Sequence, residues 1–326
     1  MAKVRLADIA KVAGVSAVTV HNAITGQKGV SDEMRARILE IAKEMGYRQP
    51  GSGARNTQGK SLRCIGVVIP ERYLAEYTTF YWKMYQEMAL AATEKSCMVT
   101  VEILKQEMED EMIVPCIAKE QTVDALILMG DTSRDYIHYL KKNVDLPINE
   151  LAKDAVIADN FHGMYLMTEY LYEHGLTKLA FVGSIHFSSS IMDRYCGFSK
   201  AVLEHRDVTP AEWILEDRDE RGQIEIHLPE QMPEAFVCNC DLTAGLLMLE
   251  LEKRGISVPE DVSVVGFDNY LYPGFPDLKI TSYEINTKAM VKVALEKALK
   301  QIRDAASGKN MEIVSGQLVP KESVKL

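Results

Sequence analysis

The sequence predicts an α/β protein. A small all-helical head at the N-terminus precedes a two-lobed core of parallel sheets flanked by helices. Three observations carry this. Residues 5–47 set apolar side chains at helical spacing. From Cys64 onward, short apolar runs alternate with amphipathic stretches. Between the two, residues 49–61 hold almost nothing that can be buried. A chain of 326 residues has room for about two domains and for a core that needs no disulfide or metal.

In the head, Leu6, Ile9, Ala10 and Ala13 fall at i, i+3, i+4 and i+7, one face of a first helix. Gly14 suits the left-handed turn after a helix end. Ser16 is a natural N-cap for a second helix over 17–24, with Val20 and Ala23 or Ile24 turned inward. Ser31 caps a third, whose stripe is Met34, Ile38, Ile41, Ala42 and Met45, and Gly46 ends it. Residues 49–61, polar and rich in Gly and Ser, have linker composition.

In the core, strand-like runs lie at 65–69, 98–104, 125–129, 155–158, 179–183, 235–238, 262–266 and 280–283. Helical stretches lie near 80–95, 133–142, 161–174, 191–205, 241–254 and 286–305. Apolar strands alternating with helices imply parallel sheets covered on both faces. The predicted division is a head at 1–48, a linker at 49–61 and a core at 62–326, with the chain crossing between two lobes near 150 and 284. Ligands of such folds bind outside the carboxyl ends of the strands, so a cleft between the lobes is expected.

Charge is distributed unevenly. The formal net charge is −10, yet residues 1–60 sum to +5 and the remainder to −15. A basic head on an acidic body can bind a polyanion that the body repels. No apolar run approaches a membrane span, and the N-terminus lacks the apolar segment of a signal peptide, so a cytoplasmic location is expected. The six cysteines are read as small buried hydrophobes. Cys238-Asn-Cys240 resembles half a metal site, but no second pair follows, so no metal and no cofactor are expected. There is no GxGxxG, GxxxxGK[ST] or GxSxG motif and no catalytic constellation, which argues against an enzyme.

The segment LADIAKVAGVSAVTVHNAITG reads as helix, tight glycine turn, helix. Such a helix-turn-helix sets the start of its second helix in the major groove of DNA. The side chains offered there are Ala17, Val18, Thr19, His21 and Asn22. Ala17 and Val18 suit thymine methyls, Asn22 suits a bidentate bond to adenine, and His21 suits a base edge or a phosphate. A plain three-helix bundle with His21 and Asn22 on a solvated surface is the bland alternative. The basic charge and the following linker weigh against it.

These residues resemble the headpiece of the lac-repressor-type (LacI/GalR) family of bacterial transcription regulators. The resemblance runs through Asp8, Ala10, Ala13, Gly14, Val15, Ser16, Thr19, Val20, Gly26 and Val30. It continues through Ile65-Gly-Val-Val-Ile-Pro70, Asp159-Asn160 with Gly163, Asp193-Arg194 with Gly197-Phe198, and the stretch from Val258 to Asn269. It implies a homodimeric repressor that binds double-stranded operator DNA. It also implies a core like a periplasmic sugar-binding protein, in which a small effector alters the spacing of the two headpieces.

Carried over by residue, the resemblance places Arg55 in a DNA-contacting hinge and the effector between Phe80, Tyr81, Ser189, Arg194 and Asp268. Phe80 and Tyr81 would stack on a sugar or base, or pack as core aromatics. Arg194 would fork onto hydroxyls or a carboxylate, or pair with Asp193 at the surface. Asp268 would accept from hydroxyls, or simply form a turn. Ser188–Ser190 would add hydroxyls or cap a helix, and Asp241 would N-cap the helix it begins. Aromatic faces with one guanidinium and one carboxylate suit a polyhydroxyl ring, so a sugar is the first expectation and a purine the second. Three departures stand out: His21-Asn22 in the recognition helix, Thr57 where the family places a leucine wedge, and a segment at 146–154 shorter than the family's.

Overall fold

The structure, a computed structural model, describes residues 6–25, 29–45, 47, 63–74, 80–151, 155–219, 222–273, 276–304 and 310–325. The expected linker 49–61, with Arg55 and Thr57, lies outside the described residues, as do Gly26 and Gly46. The chain divides into two compact units, Met1–Ser61 and Leu62–Leu326.

The first unit holds α1 (Leu6–Ala13), α2 (Ala17–Thr25) and α3 (Asp32–Glu44). One small core joins them, in which Ile9, Val20 and Ile38 are fully buried. Gly14 takes φ 71°, a left-handed turn without steric penalty in glycine, and the Val15 N–H closes it onto the Ala10 carbonyl at 3.1 Å. The hydroxyls of Ser16 and Ser31 accept the N–H of Thr19 at 3.1 Å and of Met34 at 3.3 Å. Each capped helix thereby has one otherwise orphaned donor satisfied.

The second unit opens with β1 (Arg63–Pro70), α4 (Phe80–Glu94), β2 (Cys97–Leu104), α5 (Gln106–Asp110), α6 (Cys116–Lys119), β3 (Ala125–Met129), α7 (Arg134–Asn143), β4 (Ile148–Leu151) and β5 (Val156–Ala158). A second lobe follows with α8 (Asn160–Glu173), β6 (Leu179–Val182), α9 (Ser189–Glu204), β7 (Ile214–Leu215), β8 (Ala235–Cys238), α10 (Asp241–Lys253), β9 (Ser263–Asp268) and β10 (Thr281–Glu284). The chain then returns through α11 (Thr287–Arg303), β11 (Glu312–Val314) and β12 (Gln317–Val319).

Each lobe has a six-stranded sheet, ordered β11-β5-β4-β3-β1-β2 in the first and β12-β10-β9-β8-β6-β7 in the second. All pairings are parallel except β12 on β10. In β1, Ile65, Val67 and Ile69 pack toward Met84 and Met88 of α4, while Val68 packs with Tyr136 and Leu140 of α7. Burial on both faces explains the unbroken apolar runs.

Two readings need correction. Residues 148–151 and 156–158 both belong to the first sheet, so the crossing expected near 150 follows Ala158 instead. A third crossing, between β11 and β12, joins those near 159 and 285. In the short segment at 146–154, residues 148–151 form β4, which lies beside β5 in the sheet and pairs with it through Leu151 and Val156.

Candidate functional site

On the head, α2 turns Val20 and Ala23 inward and leaves Ala17, Val18 and His21 exposed, Val18 at 68%. Thr19 is half-buried, with its hydroxyl 2.8 Å from that of Ser16. Asn22 is half-buried as well. The Arg35 guanidinium donates from Nη1 to the Asn22 and Ala23 carbonyls at 3.1 and 2.9 Å. This cation on the last turn of α2 complements the helix dipole and fixes α3 against α2. The sequence reading missed it, because Arg35 looked like one more basic residue of the head.

In the core, β1, β3 and β5 of one lobe and β6, β8 and β9 of the other end at one cleft. Between them lies a cavity of about 440 Å³, within the roughly 300–1,000 Å³ of small-molecule sites. Phe80, Tyr81, Arg194 and Asp268 all line it, from three places in the sequence. Tyr81 lies 4.6 Å from the Tyr73 ring, and Phe80 meets Tyr81 edge-on.

Ser189 is placed elsewhere. Its N–H and hydroxyl both donate to Asp131 Oδ2, at 2.9 and 3.3 Å. This ties the start of α9 to the loop after β3, across the lobes. Ser188 and Ser190 line the cavity instead, and Ser188 also caps α9 by accepting the Ile191 N–H.

Arg194 is buried, and its partner is not Asp193. Nε donates to Asn160 Oδ1 at 2.9 Å, Nη1 to the Asn239 carbonyl at 2.6 Å, and Nη2 lies 3.4 Å from Asp268 Oδ1. Its guanidinium stacks on Phe267 at 3.9 Å. Burial pushes the Asp268 carboxyl up to about 6, although Arg194, Arg218 and Lys83 pull the other way. Asp268 sits at φ 104°, a conformation uncommon for any residue but glycine. The backbone beyond it is held by the Asn269 N–H on Ser282 Oγ and the Tyr270 N–H on Asp241 Oδ2.

Asp241 does not cap its helix. Cys240 holds the cap position, and Asp241 turns to Tyr270 N–H and to the Ser282 hydroxyl at 2.7 Å. Gly266 makes this possible, because a Cβ there would stand 2.1 Å from Asp241 Oδ1. Burial, then the charge of Asp268, push the Asp241 carboxyl up to about 8.

The sequence reading missed Arg218, which lines the cavity after β7. Its Nε and Nη2 fork onto fully buried Asp217 at 2.9 and 2.7 Å. Asp217 also accepts from Ser184 N–H, Asn239 Nδ2 and the Thr243 hydroxyl. Burial works to raise its pKa, but the Arg218 fork and these bonds hold it down at about 2. Among the described residues, no group of His, Cys, Asp or Glu side chains could hold a metal ion. No helix there is long and apolar enough to cross a membrane.

Residues 5–49 match the family described as bacterial regulatory proteins, lacI family. Residues 168–324 match the periplasmic binding protein-like domain. The HTH-type transcriptional repressor PurR of Aliivibrio salmonicida is 24% identical over 330 residues, covering 97% of this chain and 98% of that one. PurR of Vibrio vulnificus is 25% identical, covering 98% of each. Two solved structures share the fold. One is the transcriptional regulator CelR–cellobiose complex, with TM-score 0.66 and 19% identity over 98% of this chain and 100% of that one. The other is a lac repressor dimer bound to operator and the anti-inducer ONPF, with TM-score 0.65 and 20% identity over 100% of each chain.

Proposed function

We propose, from the premise that this chain belongs to the lacI family of bacterial regulatory proteins, that a small molecule in the interlobe cleft controls how tightly it binds DNA. The chain is a ligand-responsive DNA-binding transcription repressor and not an enzyme. It works where the DNA is, in the cytoplasm, as a homodimer reading a two-fold operator. The face of α2 bearing Ala17, Val18, Thr19, His21 and Asn22 reads base edges. For the dimer, the support is the exposure of large apolar side chains at one edge of the first lobe, Leu90 on α4 and Met98 and Ile103 on the edge strand β2.

One observation carries the cleft reading. Three protein groups hold Arg194 in a buried, stacked position: two of its five N–H donors make hydrogen bonds, to Asn160 and the Asn239 carbonyl, and Nη2 forms an ion pair with Asp268. Beside it stands Asp268, whose carboxyl can accept hydroxyls or donate when protonated. Such a pair suits the hydroxyls of a sugar, with the rings of Phe80 and Tyr81 on its C–H face.

Binding of a fluorescent duplex from the region upstream of the chain's own gene tests this reading. A compound that raises the thermal midpoint of wild type should also change the affinity for that duplex, and both effects should need higher concentrations of the compound in Arg194→Ala. A compound that stabilises the core through Arg194 yet leaves DNA affinity unchanged would contradict the proposed control.

A further inference from the structure

The geometry points to an effector that is anionic as well as polyhydroxyl: a carboxylate or phosphate on a sugar frame, with Arg218 and the Arg72–Tyr73 edge as the subsite for the anion. This rests on the cleft being the effector site.

Arg218 spends Nε and Nη2 on Asp217, while Nη1 has no hydrogen-bond partner among the described residues. Its plane is fixed by the Phe187 ring, 4.7 Å away. Asp217 is fully buried and forms no part of the cavity wall, and three further donors share its charge. The opposite lobe also sets a guanidinium on the wall with its carboxylate partner behind, although here Nη1 is shared with Gln106. Arg72 Nη1 donates at 2.8 Å to Glu109, which is 4% exposed and also behind the wall. Arg72 Nη2 donates to the Asp131 carbonyl.

Tyr73 lines the same cavity as Arg218, its ring 5.2 Å from the Arg72 guanidinium. The wall therefore presents three guanidinium groups, Arg72, Arg194 and Arg218, and one carboxylate, Asp268. The other two counter-charges sit one layer back.

A neutral sugar answers Arg194 and Asp268 but brings no anion to the Arg218 Nη1 donors, which have no hydrogen-bond acceptor among the described residues. A carboxylate or phosphate accepts them in the short, charge-assisted geometry that a planar guanidinium favours. Because Arg218 and Arg72 belong to different lobes, the same anion would hold the lobes together.

The test compares matched probes by thermal unfolding of the full chain at fixed ionic strength: galactose against galacturonate, and glucose against gluconate and glucose 6-phosphate. An anionic member should stabilise wild type more than its neutral partner. The carboxylate and phosphate arms tell the two sources apart. Arg218→Gln should weaken the preferred anion about tenfold or more and leave its neutral partner nearly unchanged, with Arg218→Lys between the two. Since both variants disturb Asp217, the wild-type comparison stands as an independent measurement. Equal stabilisation by anionic and neutral members overturns the inference, as does no stabilisation by any anionic probe. Stabilisation by neutral sugars alone overturns it while leaving the cleft reading standing, so the two failures are distinguishable.

Discussion

Arg194 Nη2 lies 3.4 Å from Asp268 Oδ1, and each residue is 8% exposed. The pair joins α9 to the end of β9 within one lobe, on the wall of the cleft. A buried ion pair is weak evidence for stability, since desolvation offsets most of its Coulombic gain. Its value here is positional: it aims a guanidinium and a carboxyl at one cavity.

Removing the cation should therefore cost binding more than folding. In Arg194→Ala, Asp268 can take up a proton, because burial already holds its carboxyl near 6. Effector binding should weaken by about 1–3 kcal/mol, the cost of buried hydroxyls left unpaired. Calorimetric titration with a stabilising compound checks this. Unchanged affinity would remove Arg194 from the site.

Asp241 makes stability depend on pH. Its folded pKa of about 8 lies above the ordinary 3.8, so the folded state keeps a proton that the unfolded chain releases. Stability contributed by this group falls as pH rises from about 4 to about 8, and Asp268 adds the same sign between about 4 and about 6. Asp241→Asn stays neutral throughout. The thermal midpoint of the variant should gain on wild type between pH 5 and pH 8. A gain in the opposite direction would show that Asp241 is ionised in the fold.

The head has a small core, so one cavity should unfold it. Ile38 is fully buried between three helices, and Ile38→Ala should cost about 2–5 kcal/mol. DNA binding should be lost while the unfolding transition of residues 62–326 stays in place. Intact DNA binding by this variant would detach the head from recognition.

Binding should weaken steeply with salt, with a log–log slope of about −0.9 per phosphate contacted. Asn22→Ala should lose about 1–3 kcal/mol of discrimination at one base pair. Affinity titrations against single-base variants separate this from a uniform loss, which would make Asn22 a phosphate contact.

Much of this architecture is legible in the sequence where burial writes it. β3 and β8 were expected at 125–129 and 235–238, where both faces are covered and every residue is apolar. Strands β4, β7, β11 and β12 left no such trace. They are two to four residues long and carry Asn149, Glu150, Glu312 or Gln317, or, in β7, only Ile214 and Leu215. Arg218 was hidden for a related reason. It lies in the run from Glu216 to Arg221, which reads as a solvated loop until tertiary structure buries Asp217 beneath it. Asp241 misled because an acid at a helix start is the usual sign of a cap. Only the fold brings Gly266, Tyr270 and Ser282 against it. Ser189 shows the limit of carrying roles along a motif: one position away, Ser188 and Ser190 face the cavity.

Selection from a pool of random-sequence duplexes by the full chain tests the central claim, that this protein reads DNA through α2 as a symmetric regulator. The account predicts enrichment of one two-fold symmetric sequence, absent in Ile38→Ala and altered at one pair of positions in Asn22→Ala. Recovery of no preferred sequence, or of one that Ile38→Ala enriches equally well, would contradict it.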